Sequence, residues 1–65
     1  MNFADKLKQL REEKGISQLE LSKQIGVSPS SITMYEQGER VPRDYVKIKI
    51  AEFFGETVEN IFFSN

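Results

Sequence analysis

SQLELSKQIGVSPSSITMYEQ, residues 17–37, reads as two short helices joined by one tight turn. Ser17 followed by Glu20 is a capping box, in which the hydroxyl and the carboxylate each satisfy an orphan backbone N–H. Ile16 before the cap and Leu21 at the fourth helical position form a hydrophobic staple, so a helix is predicted from Gln18 to Ile25. Gly26 ends it. Ser28 caps the next helix, and Pro29 takes the first helical position, where its missing N–H costs nothing. Val27 and Ile32 repeat the staple, and Gly38 stops the helix after Gln37. A generic helical hairpin tolerates a looser connection than this.

The flanking sequence reads as support. Phe3, Leu7 and Leu10, with Ala4 beside them, give the apolar stripe of a first helix over Asn2–Lys14, with Asn2 as its cap and Gly15 as its stop. Gly38 to Pro42 is a loop. A fourth helix is predicted over Asp44–Phe54, capped near Arg43 or Asp44, with Val46, Ile50, Phe53 and Phe54 inward and Ala51 beside them. Thr57 caps a short fifth helix, Val58 to Phe62. The fold class expected is all-α, five short helices in a single domain spanning 1–65, with no room for an effector domain.

Composition narrows the function. The 65 residues include no Cys and no His, which removes the thiolate metal site, the usual general base and the commonest metal ligand. The expectation is no enzyme, no metal and no cofactor. No apolar run approaches ~18 residues and no signal-peptide pattern appears, so no membrane partner and a cytoplasmic location are expected. The net charge of −1 argues mildly against nucleic acid, but its distribution matters more. All nine Lys and Arg lie at or before Lys49, where residues 1–49 carry +2, and residues 50–65 carry −3 through Glu52, Glu56 and Glu59.

The face of the third helix carries the functional argument. At about 100° per residue, Ile32, Tyr35 and Glu36 share one side and Ser30, Thr33, Met34 and Gln37 the other. A solvated helix usually presents Lys and Glu outward. A helix that reads a DNA groove presents hydroxyls and amides for base edges and an apolar group, here Met34, for a thymine methyl. Ordinary surface residues, on a helical protein-interaction module, are the competing reading. No Arg or Lys lies on this helix, so readout leans on modest contacts, backbone contacts and DNA shape. Gln18 at the start of the second helix, and Arg40 and Arg43 around Val41-Pro42, are the candidate phosphate contacts. Lys23 and Lys47 are candidates for long-range attraction.

From Leu7 to Phe62 the chain resembles the phage-repressor/Cro-type (XRE-like) helix-turn-helix family, whose fold is that of lambda-repressor-like DNA-binding domains. The resemblance rests on LREEKGISQ at 10–18, Leu21-Ser22, Ile25-Gly26-Val27-Ser28, Ile32, Tyr35-Glu36-Gln37-Gly38, Pro42, Ile50-Ala51 and VENIF at 58–62. It implies a sequence-specific double-stranded-DNA-binding transcription regulator, a repressor or Cro-like switch, with the recognition helix over about 29–37 in the major groove. It implies that Ser28, Pro29, Ser30, Thr33 and Met34 face bases, joined by Gln37 from the angular count, and that Gln18, Ser31 and Arg43 face phosphates. It also implies a partly buried Arg11–Glu36 ion pair. Breaking such a pair, where well buried, costs ~3–5 kcal/mol.

Two positions depart from the family pattern. Ser22 stands where alanine is common, and its hydroxyl needs a partner, a carbonyl one turn back being the expected one. Pro29 stands where relatives use a polar base reader; proline has no donor, so readout shifts to Ser30. The family solution to a short recognition helix is a homodimer on a pseudo-palindromic operator with half-sites ~34 Å apart. Tyr45 and Ile48 fall off the core face of the fourth helix, and Phe62 and Phe63 end the fifth. A dimer surface of Ile48, Ile61, Phe62 and Phe63 is expected, the alternative being that these residues complete a small core. No small-molecule ligand is indicated.

Overall fold

Glycine punctuates the chain. The computed structural model describes residues 2–63, and in it four helices each run into a left-handed glycine: α1 Phe3–Lys14, α2 Gln18–Ile25, α3 Pro29–Gln37 and α4 Asp44–Phe54. A last helical turn, α5, covers Glu59–Phe63. No strand occurs among the described residues, and no helix there is long and apolar enough to cross a membrane. The Cα trace measures 26 × 23 × 20 Å.

The caps act as their residue types dictate. The Asn2 side chain accepts from the Asp5 N–H at 2.9 Å. The Ser17 Oγ accepts from the Glu20 N–H at 3.0 Å while the Glu20 carboxylate accepts from the Ser17 N–H at 3.2 Å, completing the capping box. The Ser28 Oγ accepts from the Ser31 N–H at 3.1 Å and starts α3. Arg43 starts α4 with no side-chain cap bond, which leaves its guanidinium out of the helix.

One core joins the helices. Leu7, Leu21, Ile25, Ile32, Tyr35, Val46, Ile50, Ala51 and Ile61 form it, and Leu10, Ile16, Val27, Phe53 and Phe54 pack around its rim. Ile16 and Val27 are the outer members of the two staples, so the residues that set the entry angles of α2 and α3 also seal the core. Gly26, at φ +83°, makes the turn between those helices; an L side chain there carries a left-handed penalty. Ser22, on the buried side of α2, is 2% exposed. Its hydroxyl donates to the Leu19 carbonyl at 2.7 Å, so the polar atom is satisfied locally.

The C-terminal turn differs from expectation. Val58 is helical as expected, but the turn runs on to Phe63 and is wound as a π-helix over Glu59–Phe63, with Thr57 Oγ1 accepting from the Asn60 N–H at 3.0 Å at its start. Ile61 lies in the core, 1% exposed, and the Phe62 ring lies 5.7 Å from that of Phe3. Ile61 is therefore a core residue and not part of a dimer surface, and half-buried Phe62 is largely occupied by α1. Ile48 and Phe63 remain half or more exposed.

Candidate nucleic-acid interface

The recognition helix is held by an internal polar chain. Arg11 on α1 donates to Glu36 on α3 through Nε at 2.7 Å and Nη2 at 3.0 Å, and its Nη1 donates to the Ile16 carbonyl at 3.0 Å. The guanidinium thus ties α1, the lead-in to α2 and α3 together. The side chains are 13% and 3% exposed. The hydrogen bond that Arg11 donates to Glu36 raises the guanidinium above its ordinary range, against the opposing effect of burial.

The chain continues to the outer face. Gln18 Nε2 donates to Glu36 Oε1 at 3.1 Å, and Gln18 Oε1 accepts from the Thr33 hydroxyl at 2.9 Å. This revises the expected place of Gln18. Its side chain turns to Glu36 and Thr33 rather than freely outward, with one amide N–H unused among the described residues. The Glu20 carboxylate of the capping box also sits at the α2 N-terminus, so the dipole there is partly answered from within.

The outward face of α3 matches the angular count. Ile32, Tyr35 and Glu36 are buried; Ser30 and Gln37 are exposed; Thr33 and Met34 are half-buried. Ser28 and Pro29, named as base-facing, lie exposed at the helix start. The Ser28 oxygen serves as the cap and lies 3.0 Å from Ser31 Oγ, so its hydroxyl is shared inside the turn. Pro29 contributes no N–H. The first turn of α3 carries no acid, which leaves the positive end of the helix dipole free to meet an anion.

Beside α3 the structure forms a groove of about 530 Å³ that brings Ser28, Ser31, Arg40 and Arg43 together, floored by Tyr35 and Val46. Pro42 between the arginines is buried and pins the loop, so Arg40 and Arg43 project from an anchored point. Neither has an acidic partner within ion-pair distance among the described residues. Tyr45 lines the same groove and is 61% exposed. Helical period alone groups it with Ile48 off the core face of α4; its position one residue after the α4 start, near Arg43 and Asp44, is the signal that separates the two.

On the α4–α5 side, Asp44, Lys47, Ile48, Val58 and Phe63 line an apolar hollow of about 380 Å³. The Lys47 ammonium lies 5.6 and 5.0 Å from the ring centres of Phe62 and Phe63, and 3.9 Å from Asp44. Its ammonium is thus packed against the aromatic tail.

Comparison with known proteins agrees with this geometry. The helix-turn-helix family profile matches residues 7–61. An uncharacterized HTH-type transcriptional regulator of Methanocaldococcus jannaschii is 40% identical over 58 residues, which are 89% of this chain and 88% of the relative. The HTH-type transcriptional activator BcrR of Enterococcus faecalis is 34% identical over 61 residues, 94% of this chain, but the match spans only 30% of that longer protein. Among solved structures, the P22 c2 repressor in complex with a synthetic operator superposes with a TM-score of 0.95 at 18% identity, covering 100% of this chain and 98% of that one. By its sequence match, its fold and the arrangement of α2 and α3, this chain belongs to the helix-turn-helix family of DNA-binding transcription regulators.

Proposed function

We propose that this chain binds a specific double-stranded operator with α3 in the major groove, and that it represses by occupying that site. The observation that carries the reading is the pairing of two surfaces on one side of the molecule. The first is the polar, cation-free face of Ser30, Thr33, Met34 and Gln37. The second is the adjoining groove with Ser28, Ser31, Arg40 and Arg43. The first set suits base edges and the second suits phosphates, the two kinds of contact that respectively specify and position. The solved neighbour of the same fold is itself a repressor bound to operator.

The proposed assembly is a homodimer on a pseudo-palindromic site. Ile48, at 50% exposure, and Phe63, at 66%, rim one apolar hollow, the exposed apolar face that a two-fold contact would cover. An anisotropy titration against a selected duplex and a scrambled duplex of equal length tests the operator reading. The expected result is a preference of at least about a thousandfold at physiological salt. Equal, salt-labile binding to both duplexes removes sequence-specific regulation, because phosphate contacts alone are blind to sequence.

A further inference from the structure

Whether a hydroxyl in a DNA groove donates or accepts decides which base it favours, and at Thr33 the protein has already made that choice. Glu36 is a carboxylate bonded to Arg11 and has no proton to give. The group of Gln18 that faces it at 3.1 Å is therefore the amide NH2. That fixes the Gln18 orientation, which heavy-atom positions alone leave open, and turns its oxygen toward Thr33. An oxygen acceptor at 2.9 Å requires the Thr33 hydroxyl to donate. The other oxygen within reach, the Pro29 carbonyl at 3.2 Å, is also an acceptor. Both places for the single Thr33 hydroxyl proton thus lie inside the protein.

A hydroxyl has one proton and two lone pairs. With the proton committed, half-exposed Thr33 offers lone pairs and its methyl group. No group among the described residues donates to its oxygen. Exposed Ser30 differs, because its side chain makes no hydrogen bond among the described residues and its hydroxyl is free to rotate toward a donor or an acceptor. In the major groove, adenine N6 and cytosine N4 are amine donors, whereas guanine O6, guanine N7 and thymine O4 are acceptors. We propose that Thr33 is a specificity-determining residue that reads an exocyclic amine, its oxygen accepting from adenine N6 or cytosine N4 at one base pair of each half-site. This rests on α3 being the groove-reading helix. A guanine or thymine oxygen at the same place meets lone pair with lone pair. To donate instead, Thr33 has to abandon Gln18 and leave that amide oxygen unpaired.

The test pairs protein variants with base analogues. Duplexes are selected from a random pool with the wild-type chain, and the base pair whose identity responds to Thr33→Val is located. At that pair, adenine is replaced by purine, which lacks the 6-amino group, or cytosine by its analogue lacking the 4-amino group. The expected result is an affinity loss of about fivefold to tenfold for the wild type and for Thr33→Ser. Thr33→Val binds the parent and analogue duplexes equally. Thr33→Ala, which also lacks the oxygen and favours helix, replaces the valine variant if that one unfolds. The inference is overturned if no base pair responds to Thr33, or if the analogue binds the wild type as tightly as its parent. It is overturned equally if the Thr33-dependent loss follows removal of a guanine N7 or a thymine O4. Failure of the wild type to enrich any sequence is a separate result: it overturns the operator reading and this inference with it.

Discussion

Arg11 and Glu36, 25 residues apart in the chain, meet through two parallel hydrogen bonds of 2.7 and 3.0 Å. The fork of the guanidinium matches the carboxylate edge, so the pair fixes the rotation of α3 about its axis as well as its distance from α1. Replacing Arg11 with Met leaves an almost fully covered carboxylate without its cation. The expected loss is about 3–5 kcal/mol in urea unfolding. Adding Glu36→Leu to that variant recovers most of the loss, because the double replacement leaves no buried charge. A double variant as unstable as the single one shows that packing, and not the uncompensated charge, sets the cost.

The same pair has a defined pH signature. The folded state raises the Arg11 pKa above its unfolded value. Its contribution is then fully present below the ordinary arginine range and is lost only as pH rises through the still higher folded value. Arginine keeps its proton well beyond the pH range in which the folded protein is titrated. The stability difference between wild type and Arg11→Met is therefore expected to stay level from about pH 7 to pH 10 in denaturant titrations. A gap that closes progressively across that window contradicts the assignment.

Arg40 and Arg43 line a groove without acidic partners among the described residues, and the effect proposed for them on binding is electrostatic. Changing either to Gln is expected to weaken binding to every duplex alike and to reduce the magnitude of the log-affinity versus log-salt slope by about 1. Fluorescence titrations at several salt concentrations read this directly. A loss confined to one base-pair identity identifies the arginine as a base reader.

Ile61 and Phe63 are two residues apart and have opposite surroundings. Ile61 is 1% exposed in the core and Phe63 is 66% exposed. Ile61→Ala is expected to cost about 2–5 kcal/mol through the cavity it leaves. Ile48→Asp and Phe63→Asp are expected to change monomer stability by no more than about 0.5 kcal/mol, yet to reduce self-association in sedimentation velocity. Unchanged association in both surface variants removes this face as the dimer contact.

At Gly26 an added methyl group meets only the Lys49 Nζ, at 3.8 Å. Gly26→Ala is then a conformational and not a steric test. The left-handed backbone is expected to cost about 1–2 kcal/mol in thermal or chemical unfolding.

Most of the fold was legible because its signals are local. Ser17 with Glu20, Ser28 with Pro29, and the glycines at 15, 26, 38 and 55 place the bounds of α1 to α4 without reference to any distant residue. The inward side of α3 was legible too, since Ile32, Tyr35 and Glu36 follow from helical period alone. Other features depend on what lies across the molecule. Gln18 turns inward because Glu36 and Thr33, on another helix, offer it an anion and a donor. Ile61 is buried and Phe63 is exposed because of how the last turn docks against α1, which a run of apolar residues in sequence does not encode. Lys47 faces Phe62 and Phe63 because α5 folds back beside α4. Helical period specifies a face; it does not specify what the facing element brings.

The size of the molecule sets how much genetic text it can recognise. Its longest Cα dimension is 26 Å, short of the ~34 Å that separates successive exposures of one groove on the same side of B-DNA. One copy therefore samples one window of a few letters. Such a word recurs by chance throughout a genome that offers on the order of 10⁶–10⁹ alternative positions. Two copies in fixed relation read two words and the interval between them, and the interval excludes most chance occurrences. On the proposed dimer, addressing a unique locus becomes a property of the pair.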